Sequence, residues 1–199
     1  SKPDMRFGKA LVPILLLASR PPSTAFSATT MSAQRLSEFY PTVFKELPSM
    51  EGKTVAITGT SRGLGYVTAL ALAKKGARLF LLNRPSARAQ EALVELAAAS
   101  SSGVPPQLIE CDNLSFESVR NAAATLREAT ETSGLDVLCC NAGIMMQPDR
   151  ASTDGYDITI STNVLSHFLL TREMMPNLRR AAALRGEARI VTMSSGSGF

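Results

Sequence analysis

TGTSRGLG at residues 58–65 decides how this chain is read, because it stands where a buried strand gives way to a helix. Ahead of it, KTVAIT at 53–58 is short, β-branched and mostly apolar, the pattern of a strand covered on both faces in a parallel sheet. Behind it, YVTALALAKK at 66–75 consists of good helix formers with an apolar stripe, and Gly76 stops it. Gly59, Gly63 and Gly65 let the backbone turn sharply at this junction and come close to a ligand. Unpaired N–H groups and the positive end of the helix dipole then favour a pyrophosphate. The spacing differs from the G-x-G-x-x-G dinucleotide fingerprint, and a turn chosen only for tight strand–helix packing would show the same glycines.

Working outward, strands and helices alternate to the end of the chain. Residues 77–82 form a second buried strand, 88–99 a helix with Leu93 and Leu96 on its apolar side, and 107–111 a third strand. A helix is expected over 115–131, with Ser115 as N-cap and Glu117 as a favourable charge in its first turn. Residues 135–140 are the fourth strand. Residues 161–184 then make a long helix bent or restarted near Pro176, and 189–193 a fifth strand. This order implies an α/β fold, a doubly wound, Rossmann-like parallel sheet with helices on both faces. Ligands in such sheets bind beyond the carboxyl ends of the strands, where the strand order reverses, and most of the chain's distinctive motifs fall at those ends.

The 199 residues are 45% apolar and 19% charged, an ordinary globular composition. The net charge of +4 comes from the leading residues, because from Glu38 onward sixteen Lys and Arg face sixteen Asp and Glu. A neutral folded part gives nucleic-acid binding no support. Cys111, Cys139 and Cys140 are too few and too unevenly spaced for a disulfide framework or a zinc knuckle, and no metal site is expected. His167, the only histidine, leaves little for His-based metal sites or Ser-His-Asp chemistry; packing or a structural hydrogen bond is its expected role.

Residues 1–37 have the pattern of a targeting segment, 38–52 of a lead-in, and 53–199 of the nucleotide-binding domain. MRFGK at 5–9 is a basic lead and ALVPILLLA at 10–18 is apolar but too short to span a bilayer. Small residues suited to cleavage follow, then a hydroxyl-rich stretch without acids at 29–37. A signal followed by a transit-like segment resembles the bipartite presequences of algae with secondary plastids, and Phe26 after Ala25 fits their cleavage point. Plastid import is the expectation, with a membrane-proximal or endoplasmic-reticulum anchor as the alternative and no stable membrane span.

From about Glu51 onward the chain resembles the short-chain dehydrogenase/reductase family, in particular its retinol-dehydrogenase-like and protochlorophyllide-reductase-like branch. The landmarks that carry this are Thr58-Gly59…Gly63-Leu64-Gly65, Asp112 after the third strand, Asn141-Ala142-Gly143 after the fourth, NVLSHFLLT at 163–171, and Ser194-Ser195 after the fifth. The resemblance implies that Gly59, Ser61, Arg62, Gly63, Leu64 and Gly65 form the phosphate turn, that Asp112 contacts the adenine amino group, and that Asn141, Ala142 and Gly143 line the cofactor. An Asx-turn or a plain surface carboxylate is the alternative for Asp112. Asp112-Asn113 replaces the family's usual Asp-Leu. Asn163 would hold a water-linked proton relay.

Cofactor choice follows from charge. An acid at the end of the second strand would bond the ribose hydroxyls of NAD, but Asn83-Arg84 stands there and Arg62 lies in the glycine turn. Two guanidinium groups can grip a 2′-phosphate through charge-assisted bonds, so NADP (NADPH) is expected over NAD.

In the family the serine matching Ser195 holds the substrate carbonyl, and the tyrosine of a Tyr-x-x-x-Lys pair donates the proton. No Tyr-x-x-x-Lys occurs in these 199 residues. The expected parent is therefore an NADP-dependent oxidoreductase of a carbonyl, an alcohol or a related small lipophilic substrate. The resemblance admits a homo-oligomer for that longer protein. A C-terminally shortened chain of this kind is expected to bind NADP weakly and not to turn over, with an exposed fifth strand. The alternative reading is a non-catalytic dinucleotide-binding sensor or scaffold subunit.

Overall fold

Thr54–Thr58 (β1), buried along its whole length, is the strand around which the rest is arranged. The structure, a computed structural model, describes residues 40–194. The targeting segment read at 1–37 and the candidate catalytic Ser195 lie outside the described residues. After β1 come Gly63–Lys74 (α2), Arg78–Asn83 (β2), Ala87–Ala99 (α3), Gln107–Glu110 (β3), Phe116–Ala129 (α4) and Val137–Cys140 (β4). Ile158–Ile160 (α5), a π-helical turn at Ser161–Leu165, Ser166–Arg185 (α6) and Arg189–Thr192 (β5) follow. A short helix, Tyr40–Glu46 (α1), precedes them within the expected lead-in. Lys75 anchors it, its Nζ 2.7 Å from the Leu47 carbonyl and 4.8 Å from the Phe44 ring centroid.

All five strands run parallel in the order β3-β2-β1-β4-β5. The chain builds outward from β1 to β3 and then returns to the other side of β1 with β4. The order therefore reverses between β1 and β4, and the carboxyl ends of those two strands define the site expected of such a sheet. Alternation along the strands sorts the core. Val55, Ile57, Leu79, Leu81 and Cys139 face Ala69 and Ala73 of α2 and Leu96 of α3. Ala56, Phe80, Leu82, Leu138 and Cys140 face Val119 and Leu126 of α4 and Leu170 and Met174 of α6. With both faces covered, every residue of β1 is buried, which explains its unbroken apolar and β-branched run.

The helix starts follow local chemistry. Ser115 caps α4 by accepting from Ser118 N at 3.2 Å, and Ser86 caps α3 by accepting from Ala89 N at 3.1 Å. Of the bend or restart expected near Pro176, the restart is corrected: α6 runs through that residue, and a departure from α geometry lies earlier, in the π turn. Proline removes one N–H from the ladder, but Met174, Asn177, Leu178 and Ala181 are buried around it, and Asn177 Nδ2 bonds the Arg127 carbonyl at 3.0 Å. Packing against α4 outweighs the lost bond.

β5 edges the sheet, with Ile190 at 45% and Val191 at 41% exposure, as expected for that strand. Among the described residues no helix is long and apolar enough to cross a membrane, and no group of three or more His, Cys, Asp or Glu could hold a metal ion.

Opposite the site, at the amino ends of β1 and β4, Asp136 is 3% exposed. Its carboxylate accepts from Thr54 N at 2.8 Å, pairs with the Arg185 guanidinium (Nη2 to Oδ2, 3.0 Å), and lies 3.5 Å from Lys53 Nζ. Removing Asp136 leaves the buried Thr54 N–H without its acceptor and two part-exposed cations without their counter-charge. Asp136→Ala is therefore expected to cost about 1–3 kcal/mol, read as a lower urea midpoint with an unchanged slope.

Candidate functional site

The site is built where β1 and β4 end side by side, with Ile57 opposite Cys139. Thr58, the last residue of β1, turns its hydroxyl toward the loop after β4. Its Oγ1 accepts from both Asn141 N and Ala142 N, each at 2.9 Å. Asn141 answers through its side chain, Nδ2 donating to the carbonyls of Thr58 at 2.9 Å and Gly59 at 3.2 Å.

Two glycines make this closeness possible. A Cβ on Gly65 would collide with the Gly59 carbonyl oxygen and with Asn141 Nδ2. A Cβ on Gly59, whose φ is +72°, would come within 2.9 Å of Ala142 Cα. The glycine turn and Asn141-Ala142 are thus one bonded body. Gly143 is exposed, and a Cβ there would make only ordinary contact with Asn163 Oδ1 at 3.5 Å.

At the other side of the turn, Asn83 at the end of β2 is buried and fully engaged. Its Oδ1 accepts from Thr60 N at 2.7 Å and its Nδ2 donates to Thr60 Oγ1 at 2.8 Å. Its side chain holds the turn in place. Arg84, the next residue, is exposed.

α2 begins differently from α3 and α4. Arg62 occupies its N-cap in an extended conformation and gives no side-chain cap. Ser61 is half-buried, whereas Arg62, Gly63 and Leu64 are exposed, Leu64 at 67%. First-turn amides without a side-chain cap, following an exposed arginine, are suited to an anion.

Asp112 forms the Asx-turn given as its alternative, with Oδ1 accepting from Leu114 N at 3.0 Å; Oδ2 has no hydrogen-bond partner among the described residues. Asn163, half-buried in the π turn, pairs both ends of its amide with one residue: Oδ1 accepts from Ile144 N and Nδ2 donates to Ile144 O, each at 2.9 Å. That pair pins the chain just beyond Gly143. The expected residues Gly59, Gly65, Asn83, Asn141, Ala142, Gly143 and Asn163 therefore converge on one set of strand ends.

The sequence reading missed Thr58, Thr60 and Asn113 as site residues. Asn113 is buried, its Nδ2 lying 3.3 Å from the Thr162 carbonyl and 3.3 Å from His167 Nε2. The available signals were hydroxyl or amide residues at or just past strand ends. His167 is buried too, and burial lowers its pKa against the opposing pull of the Asn163 carbonyl. The cysteines are inert core residues. Burial, with the Asp112 charge, pushes Cys111 up to about 12, and burial raises Cys139 and takes Cys140 up to about 11.

Residues 53–199 match the family model described as short chain dehydrogenase. The chain belongs to the short-chain dehydrogenase family. It is 39% identical over 155 residues to an uncharacterised oxidoreductase of Schizosaccharomyces pombe, covering 76% of this chain and 44% of that protein. Retinol dehydrogenase 14 of Mus musculus is also 39% identical, over 73% of this chain and 45% of its own length. The chain thus spans less than half the length of both relatives. Among solved structures, the RhlG/NADP active-site complex of Pseudomonas aeruginosa superposes with a TM-score of 0.61 at 30% identity, covering 74% of this chain and 56% of that one. NADH-dependent reductase A1-R′ complexed with NAD gives 0.62 at 25% identity, covering 74% and 61%.

The matched residues include the turn that the geometry singles out. Gly65→Ala is expected to destabilise the domain by about 1–3 kcal/mol through overpacking. The loss should be local first: amide exchange at Asn141 and Ala142 accelerates more than in β2.

Proposed function

We propose that this chain supplies the NADP-binding part of an oxidoreductase that moves hydride to or from a carbonyl or alcohol on a small lipophilic substrate. The observation that carries the reading is the cradle at the switch point: a glycine turn that no Cβ could enter at Gly65, leading into a helix without a side-chain cap. Such a cradle suits a diphosphate, which the backbone amides can approach closely. Asn141, Ala142 and Gly143 would line the middle of the cofactor, and the free oxygen of Asp112 would accept from the adenine amino group. The nicotinamide would supply the hydride when bound.

This chain's own residues bind and orient. Asn163, bonded to Ile144, fixes the loop bordering the reacting end. Ser195, after β5, would hold the substrate oxygen in this reading. Met145 and Met146, 69% and 90% exposed just past Gly143, offer an apolar lip in keeping with a lipophilic substrate. The likeness to retinol dehydrogenase 14 supports that substrate class.

Selection of NADP over NAD is assigned to charge. Position 83 carries no carboxylate to meet the ribose hydroxyls, since Asn83 is committed to Thr60. Arg62 and Arg84 are both exposed at the mouth of the turn. Calorimetric titration of the full chain is expected to give at least tenfold tighter binding of NADPH than NADH. Arg62→Ala with Arg84→Ala should then cost NADPH about ten- to a hundredfold, the worth of charge-assisted bonds, and leave NADH nearly unchanged. Equal affinity for the two in the unaltered chain would overturn the assignment.

A further inference from the structure

His167 sits beneath the site, 5% exposed, with polar partners at both of its ring nitrogens. Its Nε2 lies 3.0 Å from Thr58 Oγ1 and 3.3 Å from Asn113 Nδ2; its Nδ1 lies 3.3 Å from the carbonyl of Asn163, one turn earlier. Counting donors and acceptors determines which nitrogen carries the proton. Thr58 Oγ1 already accepts from Asn141 N and Ala142 N, which uses both of its lone pairs. Its single hydrogen must leave as a donor, and Nε2 at 3.0 Å is nearer than the alternative acceptor, the Cys139 carbonyl at 3.5 Å. Asn113 presents its NH₂ to the same nitrogen, an orientation supported by the Thr162 carbonyl 3.3 Å from that NH₂. Nε2 therefore accepts. Nδ1 meets only a carbonyl and therefore donates.

We propose that His167, as the neutral Nδ1–H tautomer, is a positioning residue that aims the Thr58 hydroxyl and so fixes the backbone amides of Asn141 and Ala142 beside the glycine turn. An N–H on Nε2 would point at a hydroxyl oxygen with no lone pair to spare and at an amide NH₂. Reversal of the tautomer would free the Thr58 hydrogen to rotate and loosen both amides. The imidazole also joins three separate parts of the fold: the end of β1 through Thr58, the loop after β3 through Asn113, and the π turn through the Asn163 carbonyl. Asn113, with its NH₂ facing Nε2, offers no acceptor to an N–H on that nitrogen and so disfavours the other tautomer. The part these contacts play in cofactor binding rests on the proposed function; the tautomer and the clamp do not.

Because His167 is the only histidine, its two ring nitrogens give an isolated signal in a ¹⁵N-histidine-labelled sample. At pH 7.5, without nucleotide, the full chain is expected to show Nδ1 as the protonated nitrogen and Nε2 as the bare one. The opposite pattern, or an averaged mixture, would overturn the proposal without bearing on nucleotide binding. Amide exchange then tests the clamp. In His167→Phe, protection of Asn141 and Ala142 is expected to fall about tenfold, the equivalent of one net buried hydrogen bond, while Ile57 and Leu81 keep theirs. His167→Gln, which restores an acceptor, should recover most of that loss, and adding His167→Phe to Thr58→Val should cost these two amides nothing more. Unchanged protection at Asn141 and Ala142 in a folded His167→Phe, or full additivity in the double variant, would refute the clamp; the tautomer measurement needs no variant to fold.

Discussion

One contact governs this molecule: the glycine turn after β1 lies directly against Asn141, with no room for a single carbon between them. Parallel strands alone would bring the ends of β1 and β4 to the same rim, but would leave their loops to find separate conformations. Backbone carbonyls of Thr58 and Gly59, bonded by the Asn141 amide, remove that freedom. Thr58 returns the bonds through its hydroxyl. Rigidity at this point is chemically useful, because amides aimed at an anion act best when they need not reorganise to meet it.

Around that contact the molecule divides its labour by sheet end. At the carboxyl end, neutral hydrogen bonds predominate: Asn83 with Thr60, Asn163 with Ile144, and His167 with Thr58. At the amino end the buried groups carry charge, Asp136 answering Arg185 and Lys53. The partition suits the proposed function, since a fixed carboxylate beside the glycine turn would repel a phosphate, whereas one at the far end only joins strands to helix. Exposed guanidiniums at Arg62 and Arg84 are the charge left at the working end of the turn.

Much of this was legible in the sequence, for reasons particular residues make plain. All five strands lie within two residues of their sequence-based bounds because each is a short, β-branched or apolar run, buried on both faces in β1, β2 and β4, and Ser115 is readable as a cap because capping is local. The glycine turn, likewise, is written in consecutive letters. What escaped depends on partners far along the chain. The part Asn83 plays in holding the turn shows only through Thr60, 23 positions earlier, which bonds both ends of its amide. His167 and Thr58 are 109 residues apart, and no periodicity links them. Pro176 misled for a different reason. Proline is a strong local breaker, but the packing of α6 on α4 outweighs it, and the irregularity moved to the π turn, where Asn163 reaches Ile144.

β5 has a consequence for anyone handling the protein. Its neighbour β4 satisfies one side of the strand, while Ile190, Val191 and Met193 offer greasy side chains to water along the outer rim. A rim with unspent hydrogen-bonding valence among the described residues, charged only at its Arg189 end, is adhesive. Solutions of this polypeptide should therefore behave well when dilute and cold and grow turbid as they are concentrated, and a mild chaotrope or a lysine placed on that rim is the remedy its chemistry recommends.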